Sequence, residues 1–180
     1  MLQVKIDSIE LFDSEKNEFF LTREFSFQIE HSLVSMSKWE SKWQKPFLSK
    51  KEKTFEETID YIRCMTITQN VDPDAYKYIS KKIISEISDY IENPMTATTF
   101  SKATNSKPNR EVITAEIIYY WMITYNIPFE CQKWHLNRLL TLVNVCNIKN
   151  QPSKRMSKRD LYNRNHALNT ARKSSLNTGG

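Results

Sequence analysis

Cys131 and His135 are the residues whose spacing could support metal binding or nucleophilic catalysis. They lie four positions apart in a segment that we predict to be helical, so their side chains would share one face. A structural zinc site needs four ligands, and Cys64 and Cys146 lack any paired C-x-x-C spacing. A Cys–His nucleophile needs an orienting third group, and nothing in the sequence directs one to this pair. We therefore interpret both residues as part of the core and expect no metal or cofactor.

Glu116 is a carboxylate within an apolar helical segment, and such a setting could shift its pKa toward acid–base chemistry. Arg138 on the following predicted helix is a candidate ion-pair partner. We favour a structural ion pair over a catalytic role.

The glycine content excludes several enzyme classes. The chain has two glycines, Gly179 and Gly180, so residues 1–178 contain no P-loop, dinucleotide fingerprint or G-x-S-x-G elbow. Each of these motifs needs glycine where the backbone turns sharply or meets a ligand. Together with the weak nucleophile and metal patterns, this composition predicts a protein that is not an enzyme.

Trp39, Trp43 and Phe47 form the most distinctive aromatic pattern. Their i, i+4, i+8 spacing places them along one side of a short helix among several lysines. Three interpretations stay open: a share of the core, an anchor for a protein partner, or stacking on nucleic-acid bases. We name the three residues as candidate partner contacts, together with Tyr119 and Tyr120 from the apolar segment further along.

Charge is distributed unevenly along the chain. Residues 149–180 hold eight Lys/Arg against Asp160, a net charge of +7, whereas residues 1–148 carry −2. The first thirty residues hold seven Asp/Glu against three Lys/Arg, a net charge of −4. The basic tail could neutralise phosphates, but a solvated tail, or one that binds an acidic protein, is the more frequent outcome for such a segment. Nucleic acid is therefore the disfavoured partner.

Alternating apolar residues predict strands within residues 1–30. Leu2, Val4 and Ile6 alternate with polar residues, and so do Phe25, Phe27 and Ile29. The phase slips near Ser8, which predicts a bulge or break, and the polar stretch 13–18 predicts a turn. Because an isolated hairpin is marginal in water, we expect this β segment to dock on helices or on another subunit.

Helices are predicted over the rest of the chain. Ser37-x-x-Glu40 and Thr54-x-x-Glu57 match capping boxes, and Asp72-Pro73 places an N-cap before a proline. Periodicity predicts an amphipathic helix over about 73–92, a helix apolar on its whole circumference over about 111–126, and a further helix over 128–148. An all-round apolar helix packs on two sides, against its own domain or against a partner as well.

The predicted class is α+β, mostly α. We expect an N-terminal antiparallel β hairpin or meander (1–30), a domain of five to six helices (31–150), and a basic, partly ordered C-terminal helix and tail (151–180). An odd number of cysteines indicates a reducing compartment, and there is no signal-peptide pattern. The longest apolar run has seven residues, too short to span a bilayer.

Much of the chain from residue 31 to 179 resembles a family encoded by tailed bacteriophages and described as tail assembly chaperones. The stretches that carry this resemblance are SMSKWESKWQKPFL (35–48), EETIDYIRCMT (56–66), NPMTATTF (93–100), ITAEIIYYWMITYNIPFECQKWHLNRLLTLVNVCNIKN (113–150) and ALNTARKSSLNTG (167–179).

The resemblance implies a non-catalytic helper of virion morphogenesis in the host cell cytoplasm. Such a protein would bind the long, apolar tape-measure protein, help tail tube subunits gather around it, and be absent from the mature virion. Self-association stays open. The alternatives are a structural virion component, such as a head–tail joining or minor tail protein, and a nucleic-acid-binding protein that acts through the basic tail.

Overall fold

The computed structural model describes residues 1–8, 10–13, 17–49, 51–100, 112–150 and 158–176. Within these residues the predicted class, α+β and mostly α, is confirmed. The strands are β1 (Leu2–Ile6), β2 (Glu10–Asp13), β3 (Glu18–Leu21) and β4 (Phe25–Ile29). The α-helices are α1 (Leu33–Trp43), α2 (Phe55–Met65), α3 (Lys81–Glu92), α4 (Ala115–Thr124), α5 (Leu136–Asn150) and α6 (Lys158–Leu176). Two 3-10 helices lie at Pro73–Tyr78 and Phe129–Lys133.

The chain divides into two compact units, Met1–Asn147 and Ile148–Gly180. The first contains all four strands, and β1 and β4 share one core with its helices. The second contains α6. No helix in the described ranges is long and apolar enough to cross a membrane.

The strands form two separate antiparallel pairs. β1 pairs with β4, from Leu2 opposite Ile29 to Ile6 opposite Phe25, and its inward residues are buried against the helices. β2 pairs with β3, and Phe12 lies opposite Phe19. The predicted break near Ser8 is confirmed, since β1 ends at Ile6 and β2 begins at Glu10. The predicted turn 13–18 lies largely outside the described residues.

The core joins β1 and β4 to all the helices of the first unit. Its largest fully buried side chains are Phe27 and Ile29 from β4, Leu33, Met36 and Trp39 from α1, Ile62 and Met65 from α2, Ile118 and Met122 from α4, and Leu136 and Leu139 from α5. Apolar burial of this kind is the main favourable term in folding.

The predicted start of α1 at Ser37 is wrong. The N-cap is Ser32, whose hydroxyl accepts from the N–H of Ser35, and the Ser35 hydroxyl accepts in turn from the N–H of Ser32. Glu40 cannot complete a box with Ser37 because its buried carboxylate accepts from other N–H groups, those of Phe47 (2.7 Å) and Ala115 (2.7 Å). Glu40 therefore caps the start of α4, where Thr114 makes no side-chain cap.

Two predicted long helices are each divided in two. The segment 73–92 is a 3-10 helix and then α3, with Ser80 as the N-cap of α3. The segment 128–148 is a 3-10 helix and then α5, because the N–H of Leu136 donates to the carbonyl of His31 (2.7 Å) and cannot extend the preceding turn. The capping box at Thr54 and the N-cap at Asp72 are confirmed.

Candidate functional site

Trp39 and Phe47 lie in the core, which corrects the expectation that they contact a partner. Both side chains are buried, and the indole N–H of Trp39 donates to the backbone carbonyl of Glu57 at 2.9 Å. The Phe47 ring meets the Trp39 ring edge-on at a centroid distance of 5.3 Å and packs against the Tyr61 ring at a tilt of 31° and a centroid distance of 4.0 Å. α1 packs on α2, and Trp39 faces that contact. The predicted stripe of three residues on one helix is wrong for Phe47, because α1 ends at Trp43 and Phe47 lies beyond its left-handed C-cap Gln44.

Trp43 is half-buried at the rim of the same contact. Its indole N–H donates to a carboxylate oxygen of Asp60 at 2.9 Å, and Asp60 also pairs with Lys42. Burial raises the pKa of Asp60, but the hydrogen bonds from Lys42 and Trp43 outweigh it and hold that pKa below its usual value. The ammonium of Lys45 lies 5.6 Å from the Trp43 ring centroid. Two of the lysines that suggested phosphate binding thus have intramolecular partners, Lys42 with Asp60 and Lys45 with Glu57.

The exposed apolar surface lies instead on α4. Ala115, Ile118 and Met122 are 0% exposed on one side of this helix, whereas Tyr120 and Ile123 are 64% and 61% exposed. Phe129, in the 3-10 helix Phe129–Lys133, extends this surface. Its side chain is exposed, and its ring centroid lies 6.5 Å from that of Tyr119. We call Tyr119, Tyr120, Ile123 and Phe129 the α4 patch.

Tyr119 anchors the α4 patch. Its side chain is half-buried against the core, and its hydroxyl donates to the side-chain carbonyl of Gln132 at 2.8 Å. Of the five predicted partner residues, the structure thus leaves Tyr120 exposed and Tyr119 and Trp43 half-buried. Ile123 and Phe129 were not among the predicted partner residues, although Ile123 follows Tyr120 at the i, i+3 spacing that places both on one face.

Cys131 and His135 do not share a helix. Cys131 lies in the 3-10 helix, and His135 lies beyond it in an extended segment that bridges to Ser32. Burial raises the pKa of the Cys131 thiol, which opposes formation of the nucleophilic thiolate. Among the described residues, no three His, Cys, Asp or Glu side chains are grouped to hold a metal ion.

His135 belongs to a buried cluster that the sequence did not reveal. Its ring meets the ring of His31 at a centroid distance of 5.0 Å, and Nδ1 of His31 is hydrogen-bonded to the Tyr61 hydroxyl at 2.6 Å. Nε2 of His135 lies 3.1 Å from the backbone carbonyl of Tyr90 and so carries the proton of the neutral ring. Nδ1 of His135 has no hydrogen-bond partner within the described part of the chain.

Burial governs the protonation of this cluster. Desolvation, together with the neighbouring His135, lowers the pKa of His31 to about 3. Desolvation also lowers the pKa of His135, against opposing effects of the Tyr90 carbonyl and of Glu30. Both imidazoles are therefore neutral near pH 7. They lie in the core, where their contact joins the end of β4 to the start of α5.

Glu116 and Arg138 do not form the expected ion pair. Glu116 is exposed, and the Arg138 guanidinium lies 4.2 Å from the centroid of the Trp134 ring. No ion pair between the two occurs in the described ranges. The buried carboxylate near α4 is Glu40, because the helix start needs an acceptor there.

The basic C-terminal segment forms α6, a helix of 19 residues. All of its described side chains are exposed. Its basic residues include Lys158, Arg159 and Arg172, and its exposed apolar residues include Leu161 and Leu168.

Comparison of the chain with protein-family models, with curated proteins and with solved structures finds no match.

Proposed function

We propose that this chain is a non-catalytic tail assembly chaperone of a tailed bacteriophage, and that it binds the tape-measure protein through the α4 patch. The observation that carries the proposal is the two-sided character of α4. One side is fixed in the core by Ala115, Ile118 and Met122, and the opposite side presents Tyr120 and Ile123 to solvent. The phage context rests on the sequence resemblance.

The chemistry of the α4 patch suits an apolar helical client. Three aromatic rings and a branched aliphatic side chain lie exposed or half-exposed on α4 and the 3-10 helix that follows it. Aromatic side chains are enriched among residues that dominate binding energy at protein interfaces. The hydrogen bond from Tyr119 to Gln132 fixes its ring before binding, which reduces the entropy lost on association.

Co-purification with the tape-measure protein of the same phage genome tests this proposal. We expect the double variant Tyr120→Ser/Ile123→Ser to lose at least about tenfold in captured client, because burial of a large apolar side chain contributes about 1.5–3 kcal/mol. Phe55→Ser is the matched control, since Phe55 is 68% exposed on α2. Circular dichroism melts of all variants should stay close to that of the parent protein.

Equal client capture by the double variant and the control would contradict the role of the α4 patch. A loss of helical signal in the double variant would instead assign Tyr120 and Ile123 to the stability of the fold. Mass spectrometry of purified virions separates a chaperone, which acts in the host cytoplasm and is absent from the particle, from a structural virion component, which is present in stoichiometric amount.

A further inference from the structure

The β2–β3 hairpin leaves large apolar side chains outside the core. Phe12, Phe19 and Leu21 are 51%, 69% and 71% exposed, and the rings of Phe12 and Phe19 pack on each other at a centroid distance of 5.0 Å. A two-stranded hairpin is marginal in water unless a third element covers its apolar face. This hairpin therefore gains stability from any element that covers its aromatic pair.

The hairpin is also strongly acidic. Residues 7–21 hold five Asp/Glu against Lys16, a net charge of −4, and the side chains of Asp7, Glu10 and Glu18 are exposed. Two copies of this face would repel each other, since like charges close together in an interface are unfavourable. The hairpin thus fits a partner that is both apolar and basic.

α6 has the complementary character. It holds five Lys/Arg against Asp160, a net charge of +4. Leu161 and Leu168 are seven residues apart and lie on one side of the helix, and Arg172 follows Leu168 by one turn. A helix of this length that buries none of its described side chains is marginal by itself and gains from docking.

We propose that the protein self-associates by docking α6 of one copy on the β2–β3 hairpin of a second copy. Leu161 and Leu168 would cover Phe12 and Phe19, while the basic residues of α6 meet Glu10 on the same face of the hairpin and the exposed Asp7 that precedes it. The net charges of the two segments, residues 7–21 and α6, are equal and opposite. If each copy donates its α6 to the other, the two contacts close a dimer with two-fold symmetry. This surface is distinct from the α4 patch.

Charge reversal on each surface tests the proposal. The hairpin variant carries Asp7→Lys, Glu10→Lys and Glu18→Lys, which changes the net charge of residues 7–21 from −4 to +2. The helix variant carries Lys158→Glu, Arg159→Glu and Arg172→Glu, which changes the α6 charge from +4 to −2. All six positions are exposed, so circular dichroism should show a preserved fold.

Sedimentation velocity over about a hundredfold concentration range measures the association. The parent protein should form a dimer that weakens as salt rises, because salt screens exposed charges. Each variant alone should dissociate at least about tenfold more readily, because both of its surfaces then carry the same sign. An equimolar mixture of the two variants should form the mixed dimer, since each hairpin then meets an α6 of opposite charge.

Three outcomes would overturn the inference: a parent protein that stays monomeric throughout, a mixture that does not restore the dimer, or a variant that associates as the parent does. A monomeric parent whose α6 binds a random-sequence DNA duplex, with binding lost in the helix variant, would assign the helix to nucleic acid instead. The proposed chaperone function is tested separately, because Tyr120→Ser/Ile123→Ser should leave dimerisation unchanged.

Discussion

Mild acidification should destabilise this protein through its buried histidines. His31 is 2% exposed, and burial together with its neighbour His135 lowers its pKa to about 3. Because the folded state then binds fewer protons than the unfolded state, stability is complete above the unfolded pKa of 6.5 and falls as the pH drops below it. His135 shifts in the same direction and adds to the loss.

The magnitude follows from the difference between the two pKa values. Between about pH 7.5 and about pH 5 the unfolded chain takes up a proton at His31 and the folded chain does not, which removes about 2 kcal/mol from the free energy of unfolding. Glu57 and Asp60 have lowered pKa values as well. The stability that these two carboxylates contribute is lost only when the pH falls below their unfolded pKa values of 4.5 and 3.8. The change in stability between these two pH values therefore reports on the histidines.

Urea denaturation at both pH values measures the effect, and the readout is the difference in unfolding free energy between them. His31→Gln should reduce that difference by about 2 kcal/mol, since it removes the titrating group. His166→Gln is the matched control, because His166 is exposed on α6 and should leave the difference unchanged. A parent protein whose stability is constant or rises on acidification, or a His31→Gln variant with an unchanged difference, would refute the reasoning.

Two further substitutions probe how the helices begin, each measured by urea denaturation at neutral pH. Glu40→Ala should lower the free energy of unfolding by about 3 kcal/mol, because two buried backbone N–H groups lose their acceptor. A decrease of less than about 1 kcal/mol would show that water replaces the carboxylate. Ser32→Ala should lower the free energy of unfolding by about 1 kcal/mol and Ser37→Ala by less than about 0.5 kcal/mol, because Ser32 is the N-cap of α1. The reverse order would indicate that α1 begins at Ser37, as the sequence alone predicts.

The sequence predicts regular elements well where the signal is local. Alternation within residues 2–6 and 25–29 predicts β1 and β4, and the capping box at Thr54 begins α2 as expected. Prediction fails where a residue far away in the sequence determines the local structure. The N–H of Leu136 bonds to His31, more than a hundred residues away, and this contact divides a segment that periodicity alone predicts to be one helix.

The same limit applies to the candidate site. Spacing predicts that Trp39, Trp43 and Phe47 share one side of a helix, but α1 ends at Trp43, and spacing does not show that α2 covers the side that carries Trp39. The decisive contact is the hydrogen bond from Trp39 to the carbonyl of Glu57, which joins two helices. Conversely, the apolar run 117–123 predicts a helix with two apolar sides, and only the packing of Ile118 and Met122 shows which side remains exposed.

The two exposed surfaces differ in chemistry, and this difference separates their proposed partners. The α4 patch is aromatic and aliphatic, and Glu116 is the one charged residue within α4. Its affinity should therefore depend mainly on buried apolar area and only weakly on salt. Residues 7–21, which contain the β2–β3 hairpin, and α6 carry net charges of −4 and +4, so contacts made by them should weaken as salt rises. A salt titration of client capture therefore distinguishes binding at the α4 patch, which should persist in high salt, from binding that depends on the self-associated form.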